Sequence, residues 1–276
     1  MLGGCSSHNG MVFVRGNPLD FERWASYDLP KWSYKNVLPY FKKLETWSGG
    51  ENLYRGGKGP LKVNRSKIDE AFPLFKSLIN AAAEAGYDTF EDSNGFKQDG
   101  FGTFDVTIDN GKRQGITRAY LKEINGYKNL SIEHNTDVSK IIFKERKAIG
   151  VEVKKNNHSE IYYCNKEIIL SSGSINSPKI LQLSGIGDAE LLSNNGIEVI
   201  KNLPGVGKNL QDHLEIYIQH KSKIKDTLYN LSTNYLTQAL EGVKWFLLKK
   251  GMLTYSHLEV GGFVKTSEKY KHPNIQ

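Results

Sequence analysis

The chain has 276 residues, 38% hydrophobic and 24% charged, which is ordinary for a globular protein and enough for one large domain or two smaller ones. Its net charge of +7 comes from scattered lysines, with at most two adjacent as at Lys42-Lys43 and Lys154-Lys155, so no basic stripe points to nucleic acid. No apolar run approaches the ~20 residues of a membrane span, and Cys5 and Cys164 have no metal-ligand spacing.

In chain order, residues 3–10 form a loop of small side chains. Residues 21–24 and 37–44 read as helices, with Pro39 in the first turn of the second, where its missing N–H is harmless. Residues 51–60 are a glycine-rich loop. Residues 72–85 form a clearer helix: Pro73 starts it, Leu74, Phe75, Leu78, Ile79 and Ala82 share an apolar face expected to pack on the core, and Gly86 closes it. A short helical segment follows at 115–121. From 130 to 170 β-branched and aromatic residues predict strands at 131–134, 138–143, 149–154, 161–164 and 167–170, with Asn156-Asn157 in a turn. The last run leads through Ser171-Ser172-Gly173-Ser174 into a helix over 177–184, with Pro178 in its first turn. Strand, small-residue turn and helix in that order is the local geometry of a nucleotide-binding fold. An amphipathic helix over 235–250 ends at Gly251.

Three segments carry candidate chemistry. In Leu2-Gly3-Gly4-Cys5-Ser6-Ser7-His8-Asn9-Gly10-Met11-Val12, adjacent glycines admit a bulky ligand close to the backbone, and free N–H groups can hold an anion. In Gly173-Ser174-Ile175-Asn176-Ser177-Pro178 through Ser184-Gly185-Ile186-Gly187, a helix N-terminus offers unpaired N–H groups to a phosphate or polar edge. In Leu203-Pro204-Gly205-Val206-Gly207-Lys208-Asn209-Leu210-Gln211-Asp212-His213, Asp212 could orient the neighbouring imidazole. Four Asn-x-Ser sequons, at Asn64, Asn129, Asn157 and Asn230, lean weakly toward an extracellular parent.

Taken together and in this order, the three segments resemble the signatures of the glucose-methanol-choline (GMC) family of FAD oxidoreductases. Trp32-Ser33-Tyr34-Lys35-Asn36-Val37-Leu38-Pro39 and Arg118-Ala119-Tyr120-Leu121 look like further family segments, and the tail from Gly251 to Thr266 is similar to the glucose dehydrogenase-like branch. The resemblance implies an α/β fold: a partial Rossmann-like FAD-binding domain over 1–213, and the beginning of a substrate-binding domain over 214–276. It implies FAD as cofactor, with Gly3, Gly4, Asn9, Gly10, Met11 and Val12 lining the flavin. The backbone of Val138 would contact the adenine, and Gly173 and Ser174 would present the helix N-terminus. The substrate would be a small alcohol or sugar, oxidised by hydride transfer to the flavin, with oxygen, a quinone or another acceptor taking the electrons; no metal and no nucleic acid are implied. Two departures stand out: Cys5 replaces a common serine, and Arg55 stands where a His-Gly pair is usual.

The family's opening Gly-x-Gly-x-x-Gly turn and late catalytic histidine have no counterpart here, so no catalytic residue is assigned, and neither His213 nor His257 is taken as the base. The expectation is a piece truncated at both ends that holds FAD weakly or not at all and does not turn over alone. A non-enzymatic structural or secreted derivative of the family is the second reading.

Overall fold

The computed structural model describes residues 1–124, 126–223 and 227–276, apart from the side chains of Glu70, Ala71, Asn230 and Leu231. In chain order its elements are β1 (Val12–Phe13), α1 (Pro18–Ala25), α2 (Tyr34–Leu44), β2 (Glu45–Trp47), β3 (Leu61–Arg65), α3 (Ile68–Ala71), α4 (Pro73–Glu84), β4 (Gly100–Thr103), β5 (Asp105–Val106), β6 (Ile108–Asp109) and β7 (Lys112–Arg113). A π-helical turn (Thr117–Leu121) and α5 (Lys122–Ile124) lead to β8 (Thr136–Lys144), β9 (Lys147–Lys155), β10 (His158–Tyr163), α6 (Gly173–Leu183), β11 (Ile186–Gly187), α7 (Ala189–Asn194), β12 (Lys201–Asn202), α8 (Leu228–Thr233), α9 (Tyr235–Leu248) and β13 (Val260–Phe263). The fold is mixed α/β, as expected. The chain divides into two compact units, Met1–Tyr127 with His220–Gln276, and Lys128–Gln219.

The first unit holds a four-stranded sheet of order β1-β5-β3-β2, with β5 antiparallel to both neighbours and β2 parallel to β3. β3 alternates buried Leu61 and Val63 with exposed Lys62, the period-two pattern of a one-sided strand. Leu61 and Val63 pack with Ala119, flanked by Phe13, Leu44, Trp47 and Tyr120. A second cluster joins Phe90, Phe104 and Phe263, with Val12 and Val14 against it. Phe263 comes from β13, which pairs with β4; there a Cβ on Gly102 would lie 2.4 Å from the Phe90 carbonyl, so only glycine lets the chains approach.

Charge is buried beside these clusters. The Arg55 side chain is 0% exposed. Its Nε donates to Glu45 Oε1 at 2.9 Å, and its Nη1 donates to Asp92 Oδ1 at 2.7 Å and Asp105 Oδ2 at 2.6 Å. Glu45 also accepts from Arg15 at 2.8 Å and from the Gly56 N–H at 2.9 Å, and Arg65 Nε donates to Asp105 at 2.6 Å. Three guanidinium groups thus meet three carboxylates, and the Trp47 ring covers Arg55 at 4.3 Å. Burial alone would pull Arg55 down; the hydrogen bond to Glu45 and the charges of Asp105 and Asp92 outweigh it and hold the group above the ordinary arginine value. For Arg15, burial is the largest influence and lowers it.

The second unit holds the antiparallel meander β8-β9-β10, its second turn made by Asn156 and Asn157 at φ 50° and 64°. Three of the five expected strands therefore form. Residues 131–134 and 167–170 form none, because among the described residues no strand lies alongside either of them, and a strand exists only through a neighbour's hydrogen bonds.

Both prolines expected in first helical turns sit inside their helices. α2 begins at Tyr34 and α6 at Gly173, which puts Pro39 and Pro178 in the sixth position of each. Initiation lies upstream: the Ser33 carbonyl accepts from Asn36 and Val37. The helix α4 forms as expected, with Gly86 at φ 88° after it, yet Leu74 and Leu78 are 43% and 48% exposed and Ala82 is its buried residue. α9 buries no residue, and its left-handed cap is Lys249 rather than Gly251. Of the sequon asparagines, Asn64 donates to the Ile108 carbonyl, Asn129 and Asn157 are exposed, and the Asn230 side chain lies outside the described residues.

Arg55→Met leaves three carboxylates short of their shared cation and is expected to cost about 3–5 kcal/mol. Leu78→Ala, at a half-exposed position, is expected to cost about 1 kcal/mol or less. Urea denaturation midpoints compare the two directly; a smaller loss for Arg55→Met than for Leu78→Ala would contradict this account of the core.

Candidate cofactor-binding site

The expected cofactor residues fall in both units, and each group is described by itself. In the first unit, residues 3–11 form a segment that opens with a 3-10 turn at Gly4–Ser7 and leads into β1, with left-handed backbone at Gly3 (φ 88°), Gly4 (φ 51°) and Met11 (φ 62°). The two serine hydroxyls are used by the loop itself: Ser6 Oγ donates to the Gly3 carbonyl at 2.6 Å and Ser7 Oγ to the Leu2 carbonyl at 2.7 Å. Ser6 Oγ also accepts the Ile116 N–H at 2.9 Å. Asn9 Oδ1 accepts the Met11 N–H at 3.1 Å, a side-chain turn that stabilises the left-handed methionine. The Met11 carbonyl then accepts from Thr107 N at 2.8 Å, and Val12 enters β1 opposite Val106.

The glycines separate into two kinds. A Cβ on Gly3 would stand 2.5 Å from Ser7 Oγ, and one on Gly10 would stand 3.1 Å from Leu258 Cδ1, so packing within the protein explains both. A Cβ on Gly4 would meet nothing within 4 Å. Open space by itself marks surface backbone, as at Gly50, Gly86 and Gly196; at Gly4 it leaves room for a flat ring against the chain.

In the second unit, α6 has no side-chain cap: Ser172, its N-cap, makes no capping hydrogen bond, and Gly173 and Ser174 are exposed. Gly173 has φ 86°, and a Cβ there would also meet nothing within 4 Å. Uncapped N–H groups and the positive end of the helix dipole suit a phosphate or polar edge. The far end of α6 is tied to the sheet, because Ser184 Oγ accepts the buried Ile141 N–H at 2.8 Å. Val138 lies earlier in the same strand, paired with Val153, and the irregularity in register between Val138 and Lys140 leaves its neighbour Ser139 without a partner in the ladder.

The third motif does less than its sequence suggests. Asp212 accepts its neighbour's backbone N–H at 2.8 Å, and among the described residues no bond to the imidazole of exposed His213 is formed. His257 is left-handed at φ 68°, and its buried Nδ1 finds no hydrogen-bond partner among the described residues. Asp188 caps α7, and its carboxyl is held below the usual carboxylate range first by Lys208 at 2.9 Å and then by the Leu191 N–H; the cap therefore holds above the ordinary aspartate pKa and is lost as pH falls through the lowered value.

Sequence reasoning passed over Arg113. Its Nη1 donates to the Asn9 carbonyl and to Asn9 Oδ1, both at 2.7 Å, and to the Ser6 carbonyl at 3.3 Å. Nothing in Lys112-Arg113-Gln114 distinguishes it from a surface cation. Two clefts of the first unit, about 400 Å³ beside Lys58, Lys62 and Tyr120 and about 230 Å³ beside Arg15 and Tyr34, contain none of the expected cofactor residues. Among the described residues no helix is long and apolar enough to cross a membrane, and no group of side chains could hold a metal ion.

The chain is thus a mixed α/β protein. Residues 1–215 match the GMC oxidoreductase family, and the chain belongs to it. It is 45% identical over 280 residues to oxygen-dependent choline dehydrogenase of Staphylococcus xylosus, covering 100% of this chain and 49% of that protein. It is 45% identical over 274 residues to human mitochondrial choline dehydrogenase, covering 99% of this chain and 46% of the relative. Among solved structures, an FAD-dependent oxidoreductase from Chaetomium thermophilum aligns with a TM-score of 0.85 at 32% identity, over 93% of this chain and 47% of that one. Formate oxidase from Aspergillus oryzae aligns with a TM-score of 0.83 at 26% identity, over 95% and 47%. The chain spans about half the length of the curated relatives it matches. The expected glucose dehydrogenase-like affinity is not supported: these relatives are choline dehydrogenases.

Ser184→Ala strips the acceptor from a buried N–H and is expected to destabilise the second unit by about 1–3 kcal/mol. Hydrogen exchange at Ile141 should accelerate accordingly; unchanged protection there would show that the tie between α6 and β8 lies elsewhere.

Proposed function

We propose that this chain supplies FAD-binding surface to a flavin-dependent oxidoreductase acting on the CH–OH group of a small alcohol, and that choline, rather than a sugar, is the alcohol. The observation that carries the cofactor reading is the open space over Gly4, in a loop whose side chains are otherwise committed to holding its shape. Gly4, with the backbone from Asn9 to Val12, is the surface for the flavin ring. Gly173 and Ser174 offer N–H donors to a phosphate or polar edge, and Val138 lies on β8, an edge strand of its sheet, where backbone can meet the adenine. FAD, when bound, supplies the hydride acceptor. The protein's part is to hold the ring against bare backbone and to exclude a side chain from that face. Residues 1–213 serve the cofactor and 214–276 begin the part that meets substrate, a division supported by the end of the family match at residue 215.

The substrate class rests on the relatives, which match this chain from end to end at 45% identity. Likeness over the whole chain to enzymes of this kind favours the enzyme reading over a non-enzymatic derivative. No histidine of this chain is assigned as the base.

Titrating FAD with the 276-residue chain while following flavin fluorescence tests the cofactor reading. Saturable quenching is expected. Gly4→Ala and Gly173→Ala each place a methyl group where the cofactor lies and should raise Kd at least tenfold. Each also strains a left-handed residue by about 1 kcal/mol, so the apoprotein should remain folded. Wild-type protein that leaves flavin fluorescence unchanged would sink the proposal. In the protein as its gene encodes it, choline and not glucose is expected to reduce an artificial electron acceptor.

A further inference from the structure

We infer that Arg113 is a positioning residue of the cofactor loop, aiming the Gly10 N–H at the ligand by holding the peptide from its other side. The inference rests on the FAD-binding reading above.

One nitrogen makes all the bonds. Arg113 Nη1 reaches the Asn9 carbonyl and Asn9 Oδ1 at 2.7 Å each and the Ser6 carbonyl at 3.3 Å. These three oxygens come from both sides of the loop's bend, and without a shared cation their lone pairs would converge unscreened. A trans peptide holds its C=O and N–H antiparallel. Pulling the Asn9 carbonyl toward Arg113 therefore turns the Gly10 N–H the opposite way. Among the described residues that N–H takes no protein acceptor. Gly10 is exposed, so water serves this donor until a ligand group displaces it.

The same arginine secures the left-handed residue that follows. Asn9 Oδ1 accepts from both Arg113 and the Met11 N–H, so the cation fixes the side chain that stabilises Met11 at φ 62°. A left-handed methionine costs about 1–2 kcal/mol and persists only where its surroundings demand it. Arg113 comes from β7, and the next stretch of chain is fastened to the loop as well, through the Ile116 N–H on Ser6 Oγ. The residue thus acts from a strand across the loop and reaches the cofactor only through Asn9 and Gly10.

The test uses the full chain with Arg113→Met and Arg113→Lys, read by hydrogen exchange of the loop without ligand and by FAD titration. Because a single nitrogen makes every bond, an ammonium can replace it. Arg113→Lys should keep Kd within about threefold, although arginine and lysine do not interchange where two nitrogens are engaged. Arg113→Met should speed exchange of residues 3–12 at least tenfold and raise Kd at least tenfold, with protection of β8–β10 unchanged. If Arg113→Met does not fold, Asn9→Leu removes Oδ1 while leaving the cation, and should move exchange and Kd in the same direction. Arg113→Met that matches wild type in both readouts overturns the inference alone. Lysine as damaging as methionine overturns it too, since the guanidinium would then be needed for more than these bonds. If the wild-type chain binds no FAD, the functional reading falls. Loop exchange then still decides whether Arg113 holds the loop.

Discussion

The Arg55 guanidinium is sealed from solvent, and its carboxylate partners come from distant stretches of chain: Glu45 before it, Asp92 and Asp105 well after it. A buried ion cluster is weak evidence for net stability, because desolvation of the charges offsets much of their attraction. What it enforces is geometry, since every member must be present for any to be tolerated. Asn94 extends the constraint, accepting from the Arg15 N–H at 2.7 Å and donating to the Phe13 carbonyl at 2.9 Å. β1 is thereby fixed to the cluster, and β1 begins at Val12, where the cofactor loop ends. The loop is held at one end by buried charge and along its length by Arg113.

This division of labour explains which side chains remain for a ligand. Ser6, Ser7 and Asn9 look like ligand-binding groups in the sequence, yet each spends its oxygen on the loop's own backbone. Backbone is left: the open face at Gly4 and the uncapped start of α6. A cofactor held by backbone tolerates change in neighbouring side chains, which accords with Cys5 standing in place of a serine at an exposed position.

Much of this was legible in the sequence. The helix over Pro73–Glu84 and the meander β8–β10 follow from periodicity and turn residues, because both are local signals. The expected site loop and helix N-terminus exist because glycine pairs and short polar residues leave few other conformations. The errors share a cause: they needed knowledge of a partner. Residues 167–170 have the composition of a strand and, among the described residues, no strand beside them. Leu78 lies on an apolar face, but the stripe does not say what covers it, and it is 48% exposed. Pro39 and Pro178 start nothing, since Ser33 and Gly173 had already begun their helices. Arg55 and Arg113 were unreadable because an arginine's burial and acceptors are set by chain 50 and 104 residues away. The branch of the family could not be read from the tail alone: the relatives that match over the whole chain are choline dehydrogenases.

The claim on which the rest depends is that FAD meets bare backbone, at the glycine loop of the first unit and, taken separately, at the start of α6 and at Val138 of the second. Mapping hydrogen exchange along the chain with and without saturating FAD tests it most directly. The account predicts slowed exchange at Gly10 to Val12, at Gly173 and Ser174, and around Val138, with the rest of each unit unchanged. Protection confined to other surfaces, such as the clefts beside Lys58 or Arg15, would contradict it.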